Sequence, residues 1–379
     1  MHTRESINYL SLFSGIGTAE KGIEQAYERS QDHQNESAQS GAADSITGRF
    51  GIANQYGNSV LPTDHSAFRR NAECIGFAEI DRYASAIYRY HWPNVPNIGD
   101  ATRIVPKQLT DFDFLVAGFP CQSFSIAGKR QGFNEARGTL FFEIARILSH
   151  KRPGHFVLEN VKGLLSADNG KVYTTILRIL ADLNYRVETV VLNSKHYGVP
   201  QNRERVFFIG HLADGCSGEI LSFGESCRGI IESRIVQLNK PKHSNNRVYA
   251  DSGASPTLNT AQGGNRQPFV AIPVLTPERA TKRQNGRRFK DDGDDAFTLT
   301  SQDRHGVFNG KRIRRLTEIE CERLQGLPDD FTKYGDFNGE IKEISATQRY
   351  KTLGNAMTVD VVEALVSRMI EKKCLTQKN

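Results

Sequence analysis

Short apolar runs alternate with amphipathic stretches along most of the chain. Six runs predict strands, at residues 7–13, 73–78, 114–117, 155–159, 186–192 and 206–210. Four stretches with apolar residues at helical spacing predict helices, at residues 17–27, 83–91, 140–150 and 173–183. Alternating strands and helices are typical of an α/β sheet, in which ligands bind at the carboxyl ends of the strands.

Two regions break this alternation. Residues 28–71 are rich in Ser, Gln, Asn, Gly and Ala, which predicts a surface insertion that is at least partly disordered. Residues 213–312 are rich in Gly, Arg, Asn and Thr with short β-like runs, and the chain returns to helix at Thr317. We therefore predict a first domain over residues 1–212, a second, smaller domain over 213–312, and a segment over 313–379 that completes the first domain.

Composition bounds the class of protein. The chain has 379 residues, of which 38% are hydrophobic and 24% charged, so it can bury a full core and form two domains. No stretch approaches the roughly 18 to 20 apolar residues of a membrane span, and the N-terminus lacks a signal pattern, which predicts a cytoplasmic protein with no membrane partner. The net charge is +6, with basic runs at residues 278–288 and 311–315. These runs fit either nucleic-acid binding or a solvated surface.

The cysteines argue against a metal site. Six cysteines are scattered along the chain with no CxxC pair and no Cys/His cluster, so we predict neither zinc nor redox exchange. A disulfide framework is not expected in a chain of this length without a secretory signal. Cys121, in "GFPCQSFS" after the apolar run 112–117, must be explained alone, and either a buried thiol or a nucleophile fits it.

Three strand ends predict a nucleoside site. "LFSGIGT", residues 12–18, is a strand, a glycine turn and a helix start, which lets a nucleotide-like ligand approach the backbone. The third glycine of a dinucleotide fingerprint is missing. The next strand ends in "FAEID", where Glu79 is placed to bind ribose hydroxyls, and Asp100 of "GDAT" could accept a bond from an adenine amino group. One adenosine without a pyrophosphate fits these turns best, and S-adenosylmethionine is such a ligand.

Two further strand ends carry charged groups. "RPGHFVLENV" is an apolar strand that ends in Glu159 and Asn160, and a buried carboxyl is unfavourable unless it is paired or functional. A helix cap or a structural salt bridge would also explain it. In "YGVPQNRERVFFIG", Arg203 and Arg205 alternate and so share one side of the chain. That arrangement suits binding of a carbonyl oxygen or phosphate, although surface ion pairs give the same pattern.

These segments, taken in order, resemble one known family. The set "LFSGIG", "AEID", "GDAT", "GFPCQSFS", "RGTLFF", "LENV", "QNRERVFFIG", "RRLTEIECERLQG" and "YKTLGNA" is similar to the bacterial DNA (cytosine-5)-methyltransferases. The resemblance covers nearly the whole chain except residues 28–71 and the variable region. It implies a Rossmann-like sheet that uses S-adenosylmethionine, an inserted target-recognition domain at residues 213–312, and methylation of cytosine carbon 5 in duplex DNA.

The resemblance also assigns catalytic roles. Cys121 matches the nucleophile that adds to cytosine carbon 6 and makes the ring reactive. Glu159 matches the residue that donates to ring nitrogen 3, while Asn160 fixes the local turn. Arg205, and with it Arg203, matches the arginines that hold the base carbonyl oxygen.

The cofactor and DNA contacts follow from the same match. The implied cofactor residues are Phe13, Gly15, Gly17, Glu79, Ile80, Asp100, Pro120, Leu140, Asn355 and Ala356. The implied DNA contacts are Ser125, Lys129, Arg130 and Gln131 in the loop after Cys121, and Thr257, Thr298 and Arg304 in the inserted region. The helix after Ala356 is expected to pack beside the N-terminal strand. Ser11 and Ala356 depart from the residues that many relatives carry, Asp and Ser respectively.

The resemblance implies a DNA substrate and a partner enzyme, and two alternative functions stay open beside it. Flipping a base out of a duplex takes a few kcal/mol, and the loop after Cys121 has the glycines and basic residues to close over it. We predict a monomer that acts on double-stranded DNA and pairs functionally with a restriction endonuclease. An RNA cytosine-5 methyltransferase and a catalytically silent DNA-binding regulator remain the alternatives.

Overall fold

The computed structural model describes residues 6–43, 72–120, 140–213, 255–256, 273–275, 305–308, 313–314, 316–372 and 374–375. The strands are β1 (Ile7–Leu12), β2 (Ala72–Ala78), β3 (Phe114–Gly118), β4 (His155–Val161), β5 (Tyr185–Asn193), β6 (Gln201–Asn202), β7 (Glu204–Leu212), β8 (Ser255–Pro256), β9 (Pro273–Leu275), β10 (His305–Phe308), β11 (Ile313–Arg314), β12 (Tyr334–Asp336) and β13 (Ile341–Glu343). The helices are α1 (Thr18–Ala43), α2 (Arg82–His91), α3 (Leu140–Lys151), α4 (Lys171–Asp182), α5 (Glu318–Leu324), α6 (Ala346–Asn355) and α7 (Val359–Glu371). Short 3-10 helices cover Ala101–Arg103, Pro106–Gln108, Lys162–Gly170 and Ser194–His196.

Six strands form one mixed sheet in the order β2-β1-β3-β4-β7-β5. Strands β2, β1, β3 and β4 run parallel to one another, whereas β7 runs antiparallel to both β4 and β5. The chain moves outward from β1 to β2 and then crosses to β3 on the other side of β1. The strand order therefore reverses between β1 and β3, and such a reversal opens a crevice at the carboxyl ends of the strands. All six predicted strands exist, and the structure confirms the α/β class.

The sheet is buried on both faces because its strands alternate their side chains between two apolar layers. Leu10, Leu115 and Phe156 pack with α3 and α4 on one face. Tyr9 and Phe114 pack with α1 and α7 on the other. The continuous apolar character of β3 is explained by this double burial.

Helix α7 lies beside α1 and β1, where the sequence predicted it. Its apolar residues share a core cluster with Ile7 and Ile23. A Cβ on Gly22 of α1 would lie 2.8 Å from Cβ of Val362, so only glycine allows the two helices this approach. The C-terminal segment therefore completes the apolar core on the face of the sheet that α1 covers.

The prediction for residues 28–71 is partly wrong. Helix α1 does not end near residue 27 but continues through Ala43. Residues 28–43 contain no proline, and eight of these sixteen residues are Gln, Ala or Glu, which favour helix without needing an apolar face. Apolar periodicity was the signal used to end the helix, and that signal is absent in this polar extension. Residues 44–71 lie outside the described residues.

Within the inserted region 213–312, the structure describes residue 213 and three short strands, β8, β9 and β10, and β11 follows directly after the region. Strands β9, β10 and β11 form an antiparallel sheet, and β8 pairs in parallel with β6. Helix α5 follows, with Thr317 at its N-cap in a capping box with Glu320, so the predicted return to helix is confirmed. The extent of a separate domain over residues 213–312 stays a prediction.

The described residues contain neither a membrane-spanning helix nor a cluster of metal ligands. None of the helices there combines the length and apolarity needed to cross a membrane. Within the same ranges, no three His, Cys, Asp or Glu side chains converge as metal ligands would.

Candidate active site

The carboxyl ends of β1, β2, β3 and β4 form one edge of the sheet, where most of the predicted site residues lie. The register places Gly118 of β3 opposite Glu159 of β4. It places Val161 of β4 opposite Arg205 of β7, which starts at this edge because it runs antiparallel. Parallel strands and one reversed strand thus bring three separate predicted motifs together.

Glu159 and Arg205 form an ion pair at this edge. Glu159 Oε1 lies 3.0 Å from Arg205 Nε, and the two side chains are 12% and 13% exposed. Burial lowers the pKa of the Arg205 guanidinium, and Glu159 opposes this shift. A Cβ on Gly118 would lie 3.5 Å from Glu159 Oε2, so this oxygen faces the end of β3, three residues before Cys121. The pair leaves a carboxylate oxygen and guanidinium donors on a partly exposed edge.

Asn160 ties β4 to the segment that leads to Cys121. Its side-chain amide donates to the Phe119 carbonyl over 2.9 Å, and its oxygen accepts from the Val161 N–H over 2.8 Å. The side chain is 1% exposed, so it acts on the backbone and not on a ligand. Cys121 itself lies outside the described residues.

Arg203 departs from its predicted role. It is 3% exposed, and its guanidinium donates to the carbonyls of Gly354, at 3.3 Å, and Ala356, at 2.8 Å. Burial, followed by the charge of Arg205, lowers the pKa of this guanidinium well below its usual value. Its buried donors are directed at the turn between α6 and α7, so Arg203 holds that turn and is not placed to hold a base.

The glycine turn after β1 has an unusual backbone. Phe13, Gly15 and Gly17 all have positive φ, at 55°, 58° and 87°. A Cβ on Gly15 would meet no atom within 4 Å, so the backbone of this residue borders open space. Ser14 Oγ is buried and has no hydrogen-bond partner among the described residues. An open backbone and an unpaired hydroxyl are the features expected where a polar ligand binds.

Glu79 links this turn to the end of β2. Its two carboxylate oxygens accept from the N–H groups of Gly15, at 2.9 Å, and Asp81, at 2.7 Å. Burial raises the pKa of the Glu79 carboxyl, although these backbone bonds oppose the shift. Each carboxylate oxygen of Glu79 can accept a second hydrogen bond. The two hydroxyls of a diol can therefore donate to Glu79 while its bonds from the Gly15 and Asp81 N–H groups remain.

Ile80 and Gly99 extend this edge beyond Glu79. Ile80 is 77% exposed, which is unusual for a large aliphatic side chain. Gly99 has φ 79° and open space where a Cβ would stand. The exposed aliphatic surface, the carboxylate and the open glycines fit one adenosine with its ribose, so these residues fit S-adenosylmethionine.

Two predicted cofactor residues have additional structural roles. Gly17 has the Trp92 ring packed where its Cβ would stand. Asp100 caps the following 3-10 helix, accepting from Thr102 N–H at 2.9 Å and Thr102 Oγ1 at 2.8 Å, and these bonds lower the pKa of its carboxyl. Both residues are therefore explained in part without a ligand.

The remaining predicted cofactor residues surround the reversal between β1 and β3. Pro120 is exposed after β3, and Leu140 begins α3. Asn355 is exposed at the end of α6, while Ala356 is buried with Ile16 of the glycine turn. The segment after Ala356 touches β3, because a Cβ on Gly118 would lie 2.9 Å from Met357 Cε.

Sequence reasoning missed two residues that hold this arrangement. Asn97 accepts from the N–H of Gly99 over 2.8 Å and donates to the carbonyl of Glu79 over 3.0 Å, which joins two of the predicted turns. Met357 packs the α6–α7 turn onto β3. The position of Asn97, two residues before a loop glycine, was a usable signal for a turn.

The predicted DNA contacts fall outside the described residues. They are Ser125, Lys129, Arg130, Gln131, Thr257, Thr298 and Arg304. Their roles stay predictions.

Comparisons with known proteins match the chain over most of its length. Residues 63–371 match the family model described as C-5 cytosine-specific DNA methylase. The chain is 34% identical to an orphan methyltransferase, M.SPRI, of Bacillus phage SPR, over 79% of this chain and 92% of that protein. It is also 34% identical to the type II methyltransferase M.HpaII of Haemophilus parainfluenzae, over 79% of this chain and 84% of that protein. Among solved structures, the S. pombe Dnmt2 methyltransferase shares the fold, with a TM-score of 0.57 and 16% identity over 96% of this chain and 98% of that chain.

Proposed function

We propose residue roles for this chain from the premise that it belongs to the C-5 cytosine-specific DNA methylase family. The protein is a DNA (cytosine-5)-methyltransferase that uses S-adenosylmethionine as its methyl donor. The roles of individual residues, the duplex target and the partners are the proposed part.

The Glu159–Arg205 pair is the observation that carries the proposal. Carbon 5 of cytosine is a poor nucleophile, so a thiolate must first add at carbon 6. That addition places negative charge on ring nitrogen 3 and the base carbonyl oxygen. A carboxyl and a guanidinium held 3.0 Å apart can serve these two neighbouring atoms: Glu159, entering the step as the neutral carboxylic acid, donates its proton to nitrogen 3, and Arg205 donates to the carbonyl oxygen.

The reaction then follows from the same groups. Cys121 forms a bond to carbon 6 as its thiolate. The glycine turn, Glu79 and Ile80 would hold S-adenosylmethionine, which would supply the methyl group to carbon 5 and be left as S-adenosylhomocysteine. Loss of the carbon 5 proton to a base re-forms the double bond and expels the Cys121 thiolate, while Glu159 takes back the proton from nitrogen 3. Asn160 keeps the backbone before Cys121 in place through the Phe119 carbonyl.

Duplex DNA with a flipped cytosine is the proposed substrate, since the target carbon is inaccessible inside a base stack. The loop after Cys121 and the region 213–312 carry the proposed DNA contacts. A sequence-specific site within the duplex follows from a recognition region of this length.

The pairing with an endonuclease, the oligomeric state and the location in the cell are proposals as well. One relative is named an orphan methyltransferase and another a type II methyltransferase, so pairing with an endonuclease is a property to be tested for this chain. A monomeric state and a cytoplasmic location are proposed in the same way.

Methyl transfer from labelled S-adenosylmethionine tests the proposal directly. We expect incorporation into duplex DNA, and none with Cys121→Ser, which retains binding of DNA and cofactor. Incorporation into RNA but not duplex DNA would favour the RNA alternative. Wild-type protein that binds DNA without incorporation would favour the silent regulator.

A further inference from the structure

A buried polar network joins three segments of the chain beside the candidate active site. Gln201 begins β6, Gln325 follows α5, and Thr358 precedes α7. All three side chains are buried, with Gln201 and Gln325 at 0% exposure. Buried polar groups of this kind hold a defined geometry because a shift would leave donors or acceptors unsatisfied.

Gln325 is the centre of the network. Its amide nitrogen donates to the Leu353 carbonyl at 2.7 Å and to the Ala356 carbonyl at 3.5 Å. Its amide oxygen accepts from Thr358 Oγ1 at 3.1 Å and from Gln201 Nε2 at 3.4 Å. Both donors and both acceptor positions of the amide are therefore used.

The network reaches β7 by a second route. Thr358 Oγ1 lies 2.7 Å from Ser194 Oγ, which in turn donates to the Arg203 carbonyl at 3.4 Å. The Arg203 side chain donates to the Ala356 carbonyl, which Gln325 also approaches. Arg205 follows two residues later in β7. The turn at residues 353–356 is thus held from one side by Gln325 and from the other by the segment that carries Arg205.

The same residues stand next to the inserted region. β6, which begins with Gln201, pairs with β8 of that region, and Gln201 Nε2 donates to the Leu324 carbonyl at the end of α5 over 2.5 Å. α5 is the first helix after the region. Gln325 therefore contacts both the segments that flank the inserted region, through Gln201 and α5, and the turn at residues 353–356.

We propose that Gln325 is a positioning residue for methyl transfer, which fixes the turn at residues 353–356 relative to β7 and Arg205. This inference rests on the proposed cofactor role of Asn355 and Ala356. Gln325 itself touches neither cofactor nor base. Its loss should weaken cofactor binding without removing any reacting group.

The substitution Gln325→Glu gives a test with a pH signature. When protonated, the Glu carboxyl can donate one bond to the Leu353 carbonyl as the amide does; when ionised, it faces two carbonyl oxygens and repels them. Burial raises the pKa of such a carboxyl, and the Arg203 guanidinium, which donates to the same Ala356 carbonyl, opposes this rise, so the titration is expected in the working range of the enzyme. We expect the KM of the variant for S-adenosylmethionine to be about tenfold higher than that of the wild type at pH 8.5 and to approach the wild-type value at pH 6. The kcat should change by less than about threefold.

A matched charge change serves as the control. Gln108→Glu, on an exposed 3-10 helix, introduces the same group and should leave the KM ratio near one at both pH values. If Gln325→Glu does not fold, Thr358→Val removes the donor to Gln325 while Thr358→Ser keeps it. We then expect about a fivefold rise in KM for Val and a near-wild-type value for Ser.

The outcomes distinguish the positioning role of Gln325 from the cofactor role of the turn at residues 353–356. Asn355→Ala is expected to raise the KM for S-adenosylmethionine. If it does, but the KM ratio of Gln325→Glu to wild type does not change with pH, the positioning role of Gln325 is wrong. The same conclusion follows if Thr358→Val and Thr358→Ser have equal KM values. If Asn355→Ala leaves the KM unchanged, the cofactor role of the turn is wrong and the inference falls with it.

Discussion

Glu159 and Arg205 meet across the β4–β7 pair, with a carboxylate oxygen 3.0 Å from a guanidinium nitrogen at a partly open edge of the sheet. The antiparallel direction of β7 is what allows this contact, because the arginine lies at the start of its strand and the glutamate near the end of the neighbouring strand. The two groups that we propose act on one ring are thereby placed side by side by the register of the sheet.

Replacing Glu159 by Gln tests the proton donor. The amide keeps the shape but cannot deliver a proton to ring nitrogen 3, so we expect the single-turnover rate of methyl transfer to fall about 100-fold or more. Affinity for cofactor should stay within about threefold. Glu204→Gln, next to Arg205 but paired with exposed Lys162, is the matched control and should keep its rate. Near-normal turnover of the Glu159 variant would make this carboxylate structural.

Arg203→Met tests the revised role of this arginine. The change removes the donor to the buried Gly354 carbonyl and leaves the Ala356 carbonyl with the longer bond from Gln325, so we expect the free energy of unfolding to fall by about 1–3 kcal/mol. Urea unfolding measures this loss. The KM for S-adenosylmethionine should rise more than the KM for DNA, because the turn that is released carries Asn355. A stable variant with only a raised KM for DNA would instead restore the base-binding role.

Ile80→Ala tests the cofactor surface. Because the side chain is exposed in the free protein, its truncation should leave the melting temperature unchanged. If the side chain packs on bound S-adenosylmethionine, we expect the dissociation constant to rise about fivefold or more from the lost apolar contact. Val105→Ala removes a comparable exposed apolar side chain and should leave cofactor binding unchanged. Equal binding by both variants in calorimetry would remove Ile80 from the site.

The His155–His211 pair predicts a pH dependence of stability. Their Nδ1 atoms lie 2.8 Å apart, so only one can carry a proton and donate, and burial lowers the pKa of each to about 4. The unfolded chain, with histidine pKa near 6.5, binds more protons between these values, so this contribution to stability is complete above about pH 6.5 and is lost as the pH falls toward 4.

Urea unfolding across this range checks the histidine prediction. We expect His211→Asn to flatten the dependence of unfolding free energy on pH between about 4.5 and 6.5. His150→Asn, on the exposed end of α3, should keep the wild-type slope. Identical slopes for His211→Asn and wild type would assign the acid sensitivity to other groups.

Much of the site was predictable because it depends on local patterns. Glu79 and Glu159 each end an apolar strand, and the carboxyl ends of parallel strands lie at one edge whatever the rest of the chain does. Arg203 and Arg205 show the limit of this reasoning. Their sequence environments are alike, yet one is buried against carbonyls about 150 residues further along, and no local pattern carries that information.

The polar half of α1 was missed for a different reason. Apolar periodicity reports a helix only where one face is buried, and residues 28–43 lack that pattern. Likewise, Gln325 and Thr358 are ordinary polar residues in sequence. Their joint role arises only from the packing of α5 against the α6–α7 turn.

The packing of α7 on α1 and β1 bears on how the protein is made. Strand β1 lies at residues 7–12, and α7, which packs on one of its faces, is synthesised more than 340 residues later. Synthesis at about 5–20 residues per second leaves that apolar face without its final cover for tens of seconds. We therefore expect the apolar residues of β1 that α7 covers to reach their final packing only after the inserted region has been synthesised.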